Sequence, residues 1–366
     1  MIRKIAACAA ACALTAAVIS APNASATLVA PKTSAKSSIL IDADSGAVLA
    51  EKNADAQMKI ASVTKIMTAL VALESVKPGA TVTVKAAWTG VEGSSVYLKA
   101  GQKISVRNLL YGLLMESGND AATAIAGYVA GSNEAFAELM NRKADALGCE
   151  NTHFMNPHGL DADGHYSSAR DLALIMRAAM ANDEFAVITS TKYYNTDSQS
   201  WKNHNKLLWD YAGCIGGKTG YTQVSGRTLV SCAERNGLRL ICVTLSDAND
   251  WDDHAALLDW GFDRFGVSVV SDGELTKRTL PVISGTADFV SVTLGQPYSL
   301  AVPKNAVVEV KTELPRFVYA DVVRGGLAGY AAIYADGKLK VRVPLYYGET
   351  VLRSWSAARL RWTRLA

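Results

Sequence analysis

Apolar and polar positions alternate from Ser37 onward. SSILIDADSGAVLAEK places apolar residues on either side of Asp44-Ser45-Gly46, which predicts a β-hairpin. ASVTKIMTAL follows with Val63, Met67, Leu70 and Glu74 at helical spacing, so a helix should run from Ser62. Residues 80 to 105 read as strands and turns. VRNLLYGLLME and DAATAIAGYVAG read as helices, parted by a loop at Ser117-Gly118-Asn119 because glycine and asparagine punctuate helices. EAFAELMNRKADALG and SARDLALIMRAAMAN are further amphipathic helices.

From Lys218 the pattern changes. KTGYT, GRTLVSCAE and LRLICVTLS read as successive strands, the last two joined by an Asn236-Gly237 turn. HAALLDWGFDRFG then reads as a helix. Strands enclosing helices argue for an α+β fold, an antiparallel sheet with a helical cluster over residues 28 to 264. Residues 268 to 347 hold short β-rich segments between Gly, Pro and Asp turns, as expected of a small all-β second domain. In the tail, Val351, Trp355, Ala358, Trp362 and Leu365 fall on one helical stripe, with Arg353, Arg359, Arg361 and Arg364 beside it. A basic amphipathic helix over 351 to 366 suits the headgroup region of an anionic membrane.

Composition narrows the class. The chain has 366 residues, 49% hydrophobic and 19% charged, enough for two domains with buried cores. The formal charge of +3 is too near neutral to argue for a nucleic-acid partner. Residues 1 to 26 have two cations, an apolar run and Ala24-Ser25-Ala26, the layout of a secretory signal peptide. Its removal takes Arg3 and Lys4 and leaves 35 basic residues against 34 acidic, in a protein expected to be exported. Cys149, Cys214, Cys232 and Cys242 remain. Export permits disulfides, and Cys232 and Cys242 flank a hairpin turn where they could lie nearly opposite each other; isolated thiols fit equally well. No metal-ligand spacing or dinucleotide fingerprint stands out, so no cofactor is expected. His153, His158, His165, His204 and His254 are scattered, no G-x-S-x-G elbow accompanies them, and structural roles are expected for them.

Three short motifs carry chemistry. Ser62-x-x-Lys65, Ser117-Gly118-Asn119 and Lys218-Thr219-Gly220 each have a mundane reading as cap, loop and turn. In this order, and in helix, loop and strand contexts, they read together as a serine nucleophile with its base. A serine hydroxyl attacks poorly until a base takes its proton. A solvated lysine, with a pKa of about 10.4, is mostly protonated at neutral pH. Burial and a second cation favour its neutral form, so Lys218 would help Lys65 if the fold brings them together.

The trio marks penicillin-binding and β-lactamase-type enzymes, and the chain resembles the serine D-alanyl-D-alanine carboxypeptidases, the low-molecular-mass penicillin-binding proteins. NPHGLDADGHYSSARDLALI, NHNKLL, GKTGYTQVSGRTLVSCAERNG and GYAAIYADGKLKVRVPL also resemble that family. The resemblance implies that Ser62 is acylated, that Lys65 takes its proton, and that Ser117 bridges Lys65 and Lys218 and passes a proton to the leaving amine. It implies that Asn119 holds Lys65 and the substrate's acyl-side amide, and that Lys218 and Thr219 receive the carboxylate. Gly220 lets the strand lie close to substrate, and the amides of Ser62 and Tyr221 form the oxyanion hole. Peptidoglycan pentapeptide stems would be the substrate and β-lactams the acylating inhibitors, in an extracytoplasmic enzyme at the outer face of the membrane. A β-lactamase, a non-catalytic penicillin sensor and an endopeptidase are the competing readings. In some members an arginine beyond the KTG hairpin assists with the carboxylate. Here that segment is DANDWDDHAALL, without arginine, and neither Arg227 nor Arg239 can be assigned to the task.

Overall fold

The computed structural model describes residues 28 to 196 and 199 to 354. The expected signal peptide therefore lies outside the described residues. The predicted hairpin forms as β1 (Ser37–Asp42) and β2 (Val48–Lys52). A 3-10 turn over Ala61–Thr64 leads into α1 (Lys65–Ser75). The short strands β3 (Thr81–Thr83) and β4 (Lys103–Ser105) pair with each other, and α2 (Val106–Met115), α3 (Asn119–Val129) and α4 (Asn133–Ala146) follow. Next come α5 (Ala169–Met180), α6 (Asp183–Ser190), the hairpin β5 (Tyr193–Asn195) and β6 (Ser200–Lys202), and the single turn α7 (Leu207–Asp210). The strands β7 (Cys214–Thr222), β8 (Gly226–Arg235) and β9 (Leu238–Leu245), then α8 (Asp250–Arg264), complete this part.

Every pairing in the main sheet, ordered β2-β1-β9-β8-β7, is antiparallel. Side chains alternate across a sheet, so each strand feeds two cores. On β1, Ile39 and Ile41 join the helical cluster with Ile66, Met67, Leu110 and Ile175, while Leu40 joins the α8 side with Leu257 and Leu258. The same alternation decides between the two cysteine alternatives in favour of isolated thiols. Cys232 pairs in register with Ile241, and Cys242 with Ser231, so the two thiols are one step out of register. Cys232 belongs to the helical core and Cys242 to the α8 core. All four cysteines are free.

The C-terminal part is β-rich, as expected. β10 (Phe265–Val270) pairs with β13 (Tyr298–Pro303). β11 (Thr279–Ile283), β12 (Phe289–Thr293), β14 (Val308–Glu313), β15 (Val318–Tyr319), β16 (Leu327–Ala335) and β17 (Lys338–Tyr347) form a six-stranded sheet. It has its own core, which includes Leu280, Val290, Ile333 and Leu345. The buried carboxylate of Asp42 accepts a hydrogen bond from the Ala301 amide at 2.9 Å and so links β1 to β13.

The helix expected from Val351 does not begin there. Val351 and Val322 exchange backbone hydrogen bonds at 3.0 Å, and the Val351 side chain is buried in the β core. Ser354 N donates to Ser284 O at 2.8 Å, so 351 to 354 close the sheet region in extended form. Residues 355 to 366 lie outside the described residues. Among the described residues no helix is long and apolar enough to cross a membrane.

Candidate active site

Ser62 stands in the 3-10 turn rather than in the helix the spacing predicts, and α1 starts at Lys65. The difference matters for geometry, because residues i and i+3 eclipse in a 3-10 turn. Lys65 thereby lies directly along the turn from Ser62, with Nζ 2.8 Å from Oγ. The turn is braced from several sides. The Thr64 hydroxyl donates to Ala61 O at 2.8 Å and meets His165 Nε2 at 2.9 Å. Gly159, at φ +88°, packs so closely that a Cβ would collide with Ala61 O.

Lys65 is completely buried. Besides Ser62, its Nζ reaches Asn119 Oδ1 at 2.7 Å and His158 O at 2.6 Å. This set of partners serves both protonation states. An ammonium donates to all three oxygens, and a neutral amine donates to the two carbonyls and accepts from the Ser62 hydroxyl. Burial lowers the Lys65 pKa well below the ordinary lysine value, and the Lys218 cation lowers it further; Asp120 opposes them.

Asn119 opens α3, and its side chain is clamped at the other end by an Nδ2 hydrogen bond to Glu92 O at 2.6 Å. Asp120 behind it accepts from Ser95 Oγ, Val96 N and Leu98 N at 2.7 to 3.0 Å, which ties the loop before β4 to the helix start. Ser117, left-handed at φ +62°, makes the turn between α2 and α3. Its expected bridge is not formed. Among the described residues no hydrogen bond joins the Ser117 hydroxyl to either lysine, and Lys218 Nζ donates to Thr219 O at 2.8 Å instead. A buried ammonium needs an acceptor, and the neighbouring carbonyl supplies one. Lys218 is 2% exposed, and burial brings its pKa down to about 7.

The KTG segment lies on β7, the edge strand of the main sheet, where the Thr189 hydroxyl of α6 donates to Gly217 O and accepts from Gly217 N, both at 3.0 Å. Gly220 is required by proximity. A Cβ there would overlap Thr228 Oγ1 and stand 3.0 Å from Ser62 N. Thr228 in turn donates to Ile60 O at 3.1 Å, holding the nucleophile's turn against the sheet.

A cleft of about 350 Å³ is lined by Ser62, Ser117, Thr219, Gly220 and Tyr221, all anticipated from the sequence. Lys65, Asn119 and Lys218 are buried and do not line it. Among the described residues no cluster of three or more His, Cys, Asp or Glu could hold a metal ion.

A family model described as D-alanyl-D-alanine carboxypeptidase matches residues 24–249. The chain belongs to this family. Relatives agree along nearly the whole length. The D-alanyl-D-alanine carboxypeptidase DacC of Escherichia coli is 37% identical over 346 residues, which span 89% of this chain and 86% of that protein. The crystal structure of penicillin binding protein 5 from Haemophilus influenzae superposes with a TM-score of 0.80 at 31% identity, covering 89% of this chain and 99% of that one. The DD-transpeptidase of Streptomyces K15 is 33% identical with a TM-score of 0.62, and covers 64% of this chain and 99% of its own. The protein is a serine-type carboxypeptidase with a penicillin-binding fold.

Several site residues were missed by the sequence reading. The carbonyls of His158 and Glu92 left no signal, because every residue carries a carbonyl. Ser94, His204, Lys206, Arg227, Asp250 and Trp251 also line the cleft. His204 sits 3.4 Å from the Glu116 carboxylate. Burial, then Lys218, lowers its pKa, against the pull of Glu116. The two unassigned arginines separate clearly. Arg239 pairs with Asp44 at 2.9 Å and does not line the cleft, while Arg227 pairs with Asp250 at 2.6 Å within it. His254 is held between the Ser231 and Thr244 hydroxyls, at 2.7 and 3.1 Å, away from the cleft lining.

Proposed function

We propose that this cleft removes the terminal D-alanine from peptidoglycan stem peptides ending in D-Ala-D-Ala, through an acyl-Ser62 intermediate. The observation that carries the reading is the environment of Lys65, whose Nζ has two carbonyl acceptors and the Ser62 hydroxyl as its partners. Ser62 Oγ attacks the carbonyl carbon of the penultimate D-alanine as Lys65 takes the hydroxyl proton. The amides of Ser62 and Tyr221 hold the oxyanion; losing one such donor costs about 2.7–4 kcal/mol in another serine hydrolase. The C–N bond then breaks, and the proton that Lys65 took passes to the leaving amine, with Ser117 as relay once bound substrate brings its hydroxyl within reach of Lys65. Asn119 keeps Lys65 in place and hydrogen-bonds the acyl-side amide, while Thr219, which lines the cleft, receives the terminal carboxylate with Lys218 as the buried positive charge behind it. Water attacks the ester, Lys65 takes a proton from it, and Ser62 is restored. A β-lactam follows the first half of this route, but its amine stays tethered to the acyl group and the ester persists.

The chain acts outside the cytoplasm after loss of residues 1 to 26. Its arginine- and tryptophan-rich tail rests on the membrane surface, which keeps the cleft among its polymeric substrates. The purified mature protein should release one D-alanine per pentapeptide, and Ser62→Ala should release none. A folded parent protein that leaves the peptide intact would defeat this reading.

A further inference from the structure

Arg227 is exceptional within the cleft. It lies on β8 in register with Tyr221 of β7, and residues paired in this way project to the same face. Thr219, two positions from Tyr221, shares that face as well. The guanidinium is held from below by Asp250, which is 3% exposed and opens α8. Nε and Nη2 both donate to the same oxygen, Asp250 Oδ1, at 3.0 and 2.6 Å. The guanidinium carbon stands 5.7 Å from the centre of the Trp251 ring, within cation–π range.

This arrangement leaves part of the guanidinium unspent. Arg has five N–H donors in a fixed fork. Those on Nη1 make no hydrogen bond with a described residue, and the side chain is 42% exposed where it lines the cleft. The other cations nearby are less suited to a planar anion. Lys218 is buried and donates to Thr219 O, His204 is engaged with Glu116, and Lys206 lies 6.0 Å from the other partner of Arg227, the Trp251 ring. A guanidinium fixed by a buried carboxylate and a ring offers a carboxylate a preorganised fork, which a flexible lysine cannot match.

We infer that Arg227, positioned by Asp250 and Trp251, is the specificity-determining residue that selects substrates with a free C-terminal carboxylate, acting beside the Thr219 hydroxyl. The inference rests on the D-alanine-releasing reading of the cleft and deepens it. The arginine absent from DANDWDDHAALL is supplied from the neighbouring strand, and an aspartate of that segment orients it. A carboxypeptidase differs from an endopeptidase at this point, because an internal peptide bond presents an amide where the terminal bond presents a carboxylate.

The test compares two peptides, one ending in D-Ala-D-Ala with a free acid and one with the same terminus amidated. Binding is measured on Ser62→Ala, which separates recognition from turnover. The acid should bind at least 30-fold more tightly than the amide. Adding Arg227→Ala should close most of that gap by weakening the acid alone, and Arg227→Lys should restore part of it. Because Arg227→Ala strands a buried carboxylate, Arg227→Gln with Asp250→Asn serves as a second variant that keeps polar contacts without charge. It too should close the gap. Equal binding of both peptides before Arg227 is changed overturns the inference. So does a gap that survives in both variants, or a parallel loss of acid and amide binding. If the gap depends on Arg227 yet the parent enzyme releases no D-alanine, the carboxylate assignment stands and the hydrolytic reading falls.

Discussion

On the proposed mechanism, Lys65 and Lys218 decide what Ser62 can do. Both are buried, and among the described residues neither forms an ion pair. Desolvation lowers both pKa values, that of Lys218 to about 7, and every tenfold gain in the neutral form over the charged one corresponds to about 1.4 kcal/mol. The roles differ because the partners differ. Lys65 has two carbonyls and a hydroxyl, a set suited to a base, whereas Lys218 has the Thr219 carbonyl and lies beside the substrate edge. Acylation needs neutral Lys65, so its rate should rise with pH as Lys65 loses its proton. Charged Lys218 holds that titration low. Lys218→Gln removes the repelling cation, so the Lys65 pKa should rise and the ascending limb should move to higher pH. The measurement is the second-order rate of labelling by a fluorescent penicillin from pH 4 to 10; a limb that stays in place contradicts the account. Of these residues, Ser62, Lys65, Ser117, Asn119 and Lys218 were legible in the sequence because their side chains carry the chemistry. The acceptors at Glu92 and His158 were not, since a carbonyl leaves no mark in a sequence. Arg227 was visible but unassignable, because its partner is set by the packing of α8 beside β8.

At the scale of elements, periodicity located the long pieces. The helices α1 to α5 and the strands β7 to β9 stand where apolar spacing put them, while α6, α7 and the hairpin β5–β6 are too short to impose a period. Boundaries shifted where another interaction competed. The nucleophile's turn is 3-10 because Thr64, His165 and Gly159 brace it. The tail shows the same competition. Val351 fits both a helical stripe and a β core, and the β core takes it, together with the backbone bonds of 351 to 354. A truncation meant to test membrane association should therefore remove only residues 355 to 366. A chain ending at Ser354 should keep its melting temperature and its D-alanine release, and should no longer sediment with anionic vesicles. Undiminished sedimentation would assign membrane contact to another surface.

The whole molecule brings together three motifs spread along the chain from residue 62 to residue 220. Ser62 and Lys65 come from the turn before α1, Ser117 and Asn119 from the α2–α3 junction, and the KTG triplet from an edge strand. No local pattern dictates that convergence. It follows from the sheet order β2-β1-β9-β8-β7, which sets β7 beside the nucleophile's turn, and from the helical core beneath it. The β-rich part after α8 supplies a further core of its own. The α+β class was readable from the order of strands and helices, and the meeting of the motifs only from their joint resemblance to one family. The claim on which the rest depends is that Ser62 becomes covalently acylated. The direct measurement is intact-mass and peptide-level mass spectrometry of the protein quenched after exposure to a penicillin. The account predicts a single adduct on the peptide bearing Ser62, lost in Ser62→Ala and formed far more slowly in Lys65→Ala. An adduct on any other residue, or one that survives Ser62→Ala, would contradict it.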